Sequence, residues 1–280
     1  MVELKVSNPP ESSLIDDWLL KRYATQACDD PWAIQRYSAC RLLKESDISC
    51  YLWAEDALRF YGVPTVVFDI NIVVRDVREA ADALMRKGWH PPPPGFETRA
   101  NHIREETFYL VEPQCTAVGP FDSVVALTAA SDWDVELPDV ATQKRRLLKG
   151  TTRWPFIPEL HQLLDSFIHK WLDIPAVHYF PRGHIGCFLA YLYGYVPVLK
   201  LKEFADYLKV EHRQYHFDVT AGVNYTTAPF RLHSRKVRDS IRRGEHHFSD
   251  CSVSRNDDRF FTARVEAQLL ASLPPPIHTE

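Results

Sequence analysis

The 280-residue sequence has six cysteines, Cys28, Cys40, Cys50, Cys115, Cys187 and Cys251, and no two of them stand at Cys-x-x-Cys spacing. That argues against a zinc ribbon or a small disulfide framework, and suits reduced thiols in a cytosolic compartment. No stretch of roughly 18 apolar residues occurs, so nothing reads as a membrane span. The opening Met-Val-Glu-Leu-Lys-Val lacks the apolar run of a signal peptide, and Glu3 is acidic where a transit peptide is basic. There is no internal repeat, Gly-x-Ser-x-Gly elbow, Walker loop, dinucleotide fingerprint or catalytic-cysteine pattern. Ordinary hydrolases and dehydrogenases are therefore without support. A cytoplasmic protein is the expectation.

What is present is an ordinary globular balance, 45% hydrophobic and 25% charged, with 12% aromatic residues. The formal net charge of -4 gives no preference for nucleic acid or an anionic membrane. A small-molecule partner is expected rather than either of these. Helical spacing runs from about Ser12 to Ala27, with Leu14, Trp18, Leu19 and Tyr23 on one side. A second helix starts at Pro31. Residues 48–53 read as a strand, 54–61 as a helix ended by Gly62, and 65–74 as a second strand. Asp76 caps a further helix that Gly88 stops. Pro91 to Pro94 form a rigid loop, because four prolines remove four donors and fix an extended path. Short strands are expected at 107–111 and 123–127.

From about Trp154 the pattern becomes helical. Leu160, Leu163, Leu164, Phe167, Ile168 and Trp171 recur at helical spacing, 185–195 is densely aromatic, and 201–210 and 230–243 read as further helices. The expected fold class is α/β (α+β), a small mixed sheet with flanking helices followed by a mostly helical half. The expected division is 1–150 and 151–280, with an extended C-terminal tail.

The stretch Trp53-Ala-Glu-Asp-Ala-Leu-Arg-Phe-Tyr-Gly-Val-Pro-Thr-Val-Val-Phe-Asp-Ile-Asn71 resembles the core of the nucleotidyltransferase superfamily. There a small-residue turn precedes a helix, a Gly-x-Pro turn follows, and the next strand carries Asp-x-Asp. With its helical second half the chain is also similar to a group of fungal proteins with this degenerate core. The resemblance implies a nucleotidyltransferase-like sheet, with Asp69 at the first metal-binding position and Asn71 where the second aspartate belongs. Trp53 and Ala54 fall near the turn that admits nucleotide phosphates, and no glycine is there to let the backbone approach. A neutral amide also offsets less of the charge of two divalent cations. Both departures imply degraded nucleotidyl transfer. Glu112 and Asp122 are candidates for a third carboxylate.

Glu55 and Asp56 complement a helix N-terminus, and Glu55 doubles as a replacement acid beside Asp69. His212 and His216, with Asp218 following, are spaced to share a helical face; that suits zinc, or a hydrogen-bonded pair lining a cleft. Arg231, Arg235, Arg238 and Arg242 fall on one side of one helix, as a solvated face or a grip for a ligand carboxylate. Tyr191 belongs to the aromatic run and could line an apolar pocket.

The expectation is a cofactor-free cyclase or isomerase of fungal secondary metabolism, acting on an apolar small molecule in an interdomain cleft. Asp69, Asn71 and Glu55 are its catalytic candidates, and Arg231, Arg235, His212, His216, Tyr191 and Trp53 its substrate-binding ones. No metal is expected. The alternatives are a nucleotidyl or phosphoryl transferase using Mg²⁺ and an NTP at Asp69 and Asn71, and a non-catalytic nucleotide-binding or interaction protein.

Overall fold

The structure is a computed structural model, and it describes residues 11–25, 35–93, 107–113, 124–139, 156–175 and 179–261. It has the expected mixed character. The chain forms two compact units, Met1–Phe204 and Ala205–Glu280. The expected division fell at 150/151, whereas compactness divides the chain about fifty residues later.

In the first unit, helix α1 (Glu11–Thr25) is followed by α2 (Ser38–Glu45), β1 (Cys50–Leu52), α3 (Ala54–Phe60), β2 (Ile70–Val74) and α4 (Val77–Met85). Strands β3 (Phe108–Val111) and β4 (Val124–Ala129) complete a four-stranded sheet in the order β1-β2-β4-β3. β1 is antiparallel to β2, β2 parallel to β4, and β3 antiparallel to β4. The central strands β2 and β4 are nearly continuous in Val, Ile, Leu and Ala, as strands paired on both sides and covered on both faces require. Asp76 caps α4 as expected, its side chain accepting from the amides of Arg78 and Glu79. Gly88 turns the chain out of it at φ 95°, a region open to glycine.

Helices α5 (Leu160–Asp173) and α6 (Tyr179–Tyr195) also belong to this unit. Phe167 of α5 stands 5.9 Å from Trp53 and 6.1 Å from Trp133, ring centre to ring centre, and 5.3 Å from Phe188 of α6. Trp53 and Trp133 are themselves 5.3 Å apart. The segment entering α5 is stitched to the sheet: Leu52 N–H donates to the Phe156 carbonyl at 2.6 Å, and the Tyr61 hydroxyl donates to the Pro158 carbonyl. Aromatic burial of this size explains why the helices that follow residue 150 close onto the sheet.

Three local expectations are corrected. The strand foreseen over 65–74 is only Ile70–Val74, with Val66 and Phe68 exposed. β1 ends at Leu52, opposite Ile72, and after Trp53 the chain turns into α3, so residues 65–69 have no edge to pair with on that side. Among the α1 side chains that are described, Ile15 is buried while Leu14 is 46% exposed. The helix foreseen over 201–210 is a 3-10 turn, Lys202–Tyr207, which buries Phe204 without an α-helix. The second helix foreseen at Pro31 begins outside the described residues.

The second unit pairs α7 (Val210–Thr220) with α8 (Ala228–Arg242), Tyr215 lying 5.5 Å from Phe230 between ring centres. Thr227 caps α8, with its hydroxyl accepting from Phe230 N–H. Gln214 and Asp218 on α7 tie down the segment that follows α8. Gln214 exchanges two hydrogen bonds with the Ser249 backbone, and Asp218 accepts from both the amide and the hydroxyl of Ser252 at 2.6 Å.

Candidate functional site

β1 delivers the chain into α3 through a tight corner. Trp53 is extended, and Ala54 takes φ 51°, the left-handed region that glycine enters without penalty. An alanine is thus held at this corner in a backbone conformation that favours glycine. The corner places Glu55 and Asp56 in the first turn of α3, both buried.

The two acids have opposite surroundings. Asp56 is gripped by Arg36, whose Nε and Nη2 donate at 2.8 and 2.7 Å, and by the Tyr37 hydroxyl at 2.9 Å. Arg36 also donates to the Phe68 carbonyl at 3.0 Å, fastening α3 to the residue before Asp69. Burial alone would lower the Arg36 pKa, but the hydrogen bonds and charge of Asp56 hold it above its ordinary value. Burial, then the charge of Asp56, keeps the Tyr37 phenol protonated far past its usual range. Asp56 is therefore a structural ion-pair partner.

Glu55 has no such cation. Asn71 Nδ2 donates to its Oε2 at a long 3.3 Å, and is equally far from the Asp69 carbonyl. Burial pushes the Glu55 carboxyl up to about 7, with Asp56 and Asp69 reinforcing the rise and its own backbone N–H and Arg36 opposing it. Asp69 is 5% exposed and sits one residue before β2. The structure thus brings together Glu55, Asp69 and Asn71, the three catalytic candidates, with Val66 and Phe68 exposed on the segment leading in.

No protein-family model matches this chain, and no curated protein sequence matches it.

The donor set does not fit the Mg²⁺ and nucleotide chemistry that the resemblance implies. Asn71 turns its amide nitrogen toward Glu55, and its neighbour across the parallel pairing is Ala126 on β4, a strand without a single acid. Glu112, past the end of β3, meets the Ser38 hydroxyl at 3.5 Å; Asp122 lies outside the described residues. Among the described residues no group of three His, Cys, Asp or Glu is placed to hold a metal ion.

Trp53 is 1% exposed and belongs to the aromatic core, where its indole N–H has no hydrogen-bond partner among the described residues. Tyr191 is 40% exposed and lies beside Tyr195 on α6. His212 and His216 are fully buried on α7, which runs through Asp218 to Thr220. The Asp218 oxygens are taken by Ser252 and Gln214. The arginine stripe splits. Arg231 and Arg238, seven apart, are buried, while Arg235 is exposed and Arg242 reaches Glu211 at 3.1 Å. Arg36 went unread in the sequence, and Tyr37 was read only as part of the apolar side of the helix begun at Pro31. The one signal for them was Asp56 itself, since a buried carboxylate requires a cation or donors.

Proposed function

We propose that the first unit carries out cofactor-independent acid–base conversion of an apolar small molecule, an isomerisation or cyclisation, with Glu55 as the proton-transferring group. The observation that carries this reading is the contrast between the two neighbouring acids: Asp56 is paired with Arg36, while Glu55 lies beside Asp69 and forms no ion pair with any described residue. A carboxyl whose pKa lies near the working pH both gives and takes a proton with little driving force wasted. Glu55 would deliver its proton at one atom of the ligand and recover one from another, so that no redox partner is needed. Asn71 holds the Glu55 carboxyl in place. Exposed Val66 and Phe68 offer the apolar surface on which such a ligand could rest.

A substrate-blind probe tests this. 5-Nitrobenzisoxazole opens to its cyanophenolate when a desolvated carboxylate removes the ring C–H proton as the N–O bond breaks. The expected result is a protein-dependent rate that rises with pH to a plateau with a midpoint near 7. Glu55→Gln abolishes it, and Asp69→Asn moves the midpoint downward. A rate no faster than buffer, or one untouched by Glu55→Gln, overturns the proposal.

A further inference from the structure

At the other end of β2 the first unit holds a cavity of about 400 Å³, lined by Arg75, Ala130, Ser131, Val135, Glu136 and Leu137. Two parallel strands end at it. Val74 pairs with Ala129, and the next residues, Arg75 and Ala130, are both in the lining. The carboxyl ends of parallel strands are where open α/β sheets seat their ligands.

The loop forming the far wall is well anchored. The Trp133 indole N–H donates to the Thr128 hydroxyl at 3.1 Å, and Lys170 Nζ donates to the Asp132 carbonyl at 3.0 Å. Val135 N–H closes back onto the Ala130 carbonyl, with Asp134 held at φ 51°. Ala130, Val135 and Leu137 are buried and apolar. Arg75 and Glu136 are exposed, and neither forms an ion pair or hydrogen bond with any described residue. Opposite charges thus line one cavity without neutralising each other.

We propose that this cavity binds a zwitterion, an α-amino acid with an aliphatic side chain. Its carboxylate pairs with the Arg75 guanidinium, its ammonium with the Glu136 carboxylate, and its side chain covers Val135 and Leu137. A ligand with only an anion would meet Glu136 unpaired, and one with only a cation would meet Arg75 in the same way. Ser131 supplies a further hydroxyl. Arg75 stands six residues beyond Asp69, roughly 20 Å along the strand, so this site is independent of Glu55.

The test is an NMR titration of the folded chain, following the Trp133 indole N–H signal. The probes are L-leucine, 4-methylpentanoate (leucine without its ammonium) and 3-methylbutylamine (leucine without its carboxylate). Leucine is expected to shift the Trp133 signal saturably, and each half-analogue to bind at least about tenfold more weakly. Arg75→Gln and Glu136→Gln each weaken leucine about tenfold with circular dichroism unchanged, while Glu55→Gln binds it as the unaltered chain does. The proposal is overturned by the absence of a leucine-dependent shift, by equal binding in either surface variant, or by a half-analogue that matches leucine.

Discussion

Glu55 gives the sharpest energetic prediction, because its carboxyl has one affinity for protons in the folded chain and another in the unfolded one. Its pKa rises from 4.5 to about 7 on folding, chiefly through burial. Between those values the folded state holds a proton that the unfolded state has released. Stability therefore falls as pH rises through that window and levels off above it. At about 1.4 kcal/mol per tenfold change in proton affinity, the group removes on the order of 3 kcal/mol by pH 8, most of it between pH 5 and 8.

Glu55→Gln keeps the shape and can still accept from Asn71, but has no charge to desolvate. The variant should thus gain about 2.5 kcal/mol on the unaltered chain between pH 5 and pH 8, whatever their difference at pH 5. Urea unfolding followed by tryptophan fluorescence measures this. All seven tryptophans lie before residue 204, so the signal reports the first unit. If the stability difference between variant and parent is the same at both pH values to within about 0.5 kcal/mol, Glu55 titrates as an ordinary surface carboxylate and the reasoning fails.

Two further substitutions probe the same corner by the same measurement. Asp56→Asn leaves the Arg36 guanidinium, 11% exposed, without its anion, and should cost about 3–5 kcal/mol; a loss under about 1 kcal/mol would mark the pair as solvated. Ala54→Gly should be neutral or stabilise by up to about 1 kcal/mol, because it relieves a left-handed alanine; a clear destabilisation would show that the methyl packs more favourably than the backbone is strained.

The features legible in the sequence were those whose causes are local. Asp76 caps α4 because its carboxylate reaches amides two and three residues ahead, and the apolar spacing from Leu160 to Trp171 marks α5 whatever packs on it. Glu55, Asp69 and Asn71 could be nominated because a turn and a strand set their order. What stayed hidden depends on partners distant in sequence. Nothing near Asp56 announces Arg36, twenty residues earlier, and the spacing of four arginines cannot say which of them the fold will bury. The apolar run at 65–68 reads as strand by composition, yet a strand forms only where a neighbour offers its edge. The join of α5 and α6 to the sheet rests on Trp53, Trp133 and Phe167 meeting across more than a hundred residues.

The hydrogen bond from Leu52 N–H to the Phe156 carbonyl also governs how the protein behaves in a crowd of its own copies. β1 is the outer strand on its side of the sheet, and this bond occupies an amide that would otherwise face outward as a template for another chain. On the opposite margin, His90 and Val111 exchange backbone bonds across β3. Short outer strands with donors already engaged resist edge-to-edge growth. Loosening the segment around Phe156 would therefore threaten colloidal stability first, exposing an apolar strand to intermolecular pairing before the sheet itself came apart.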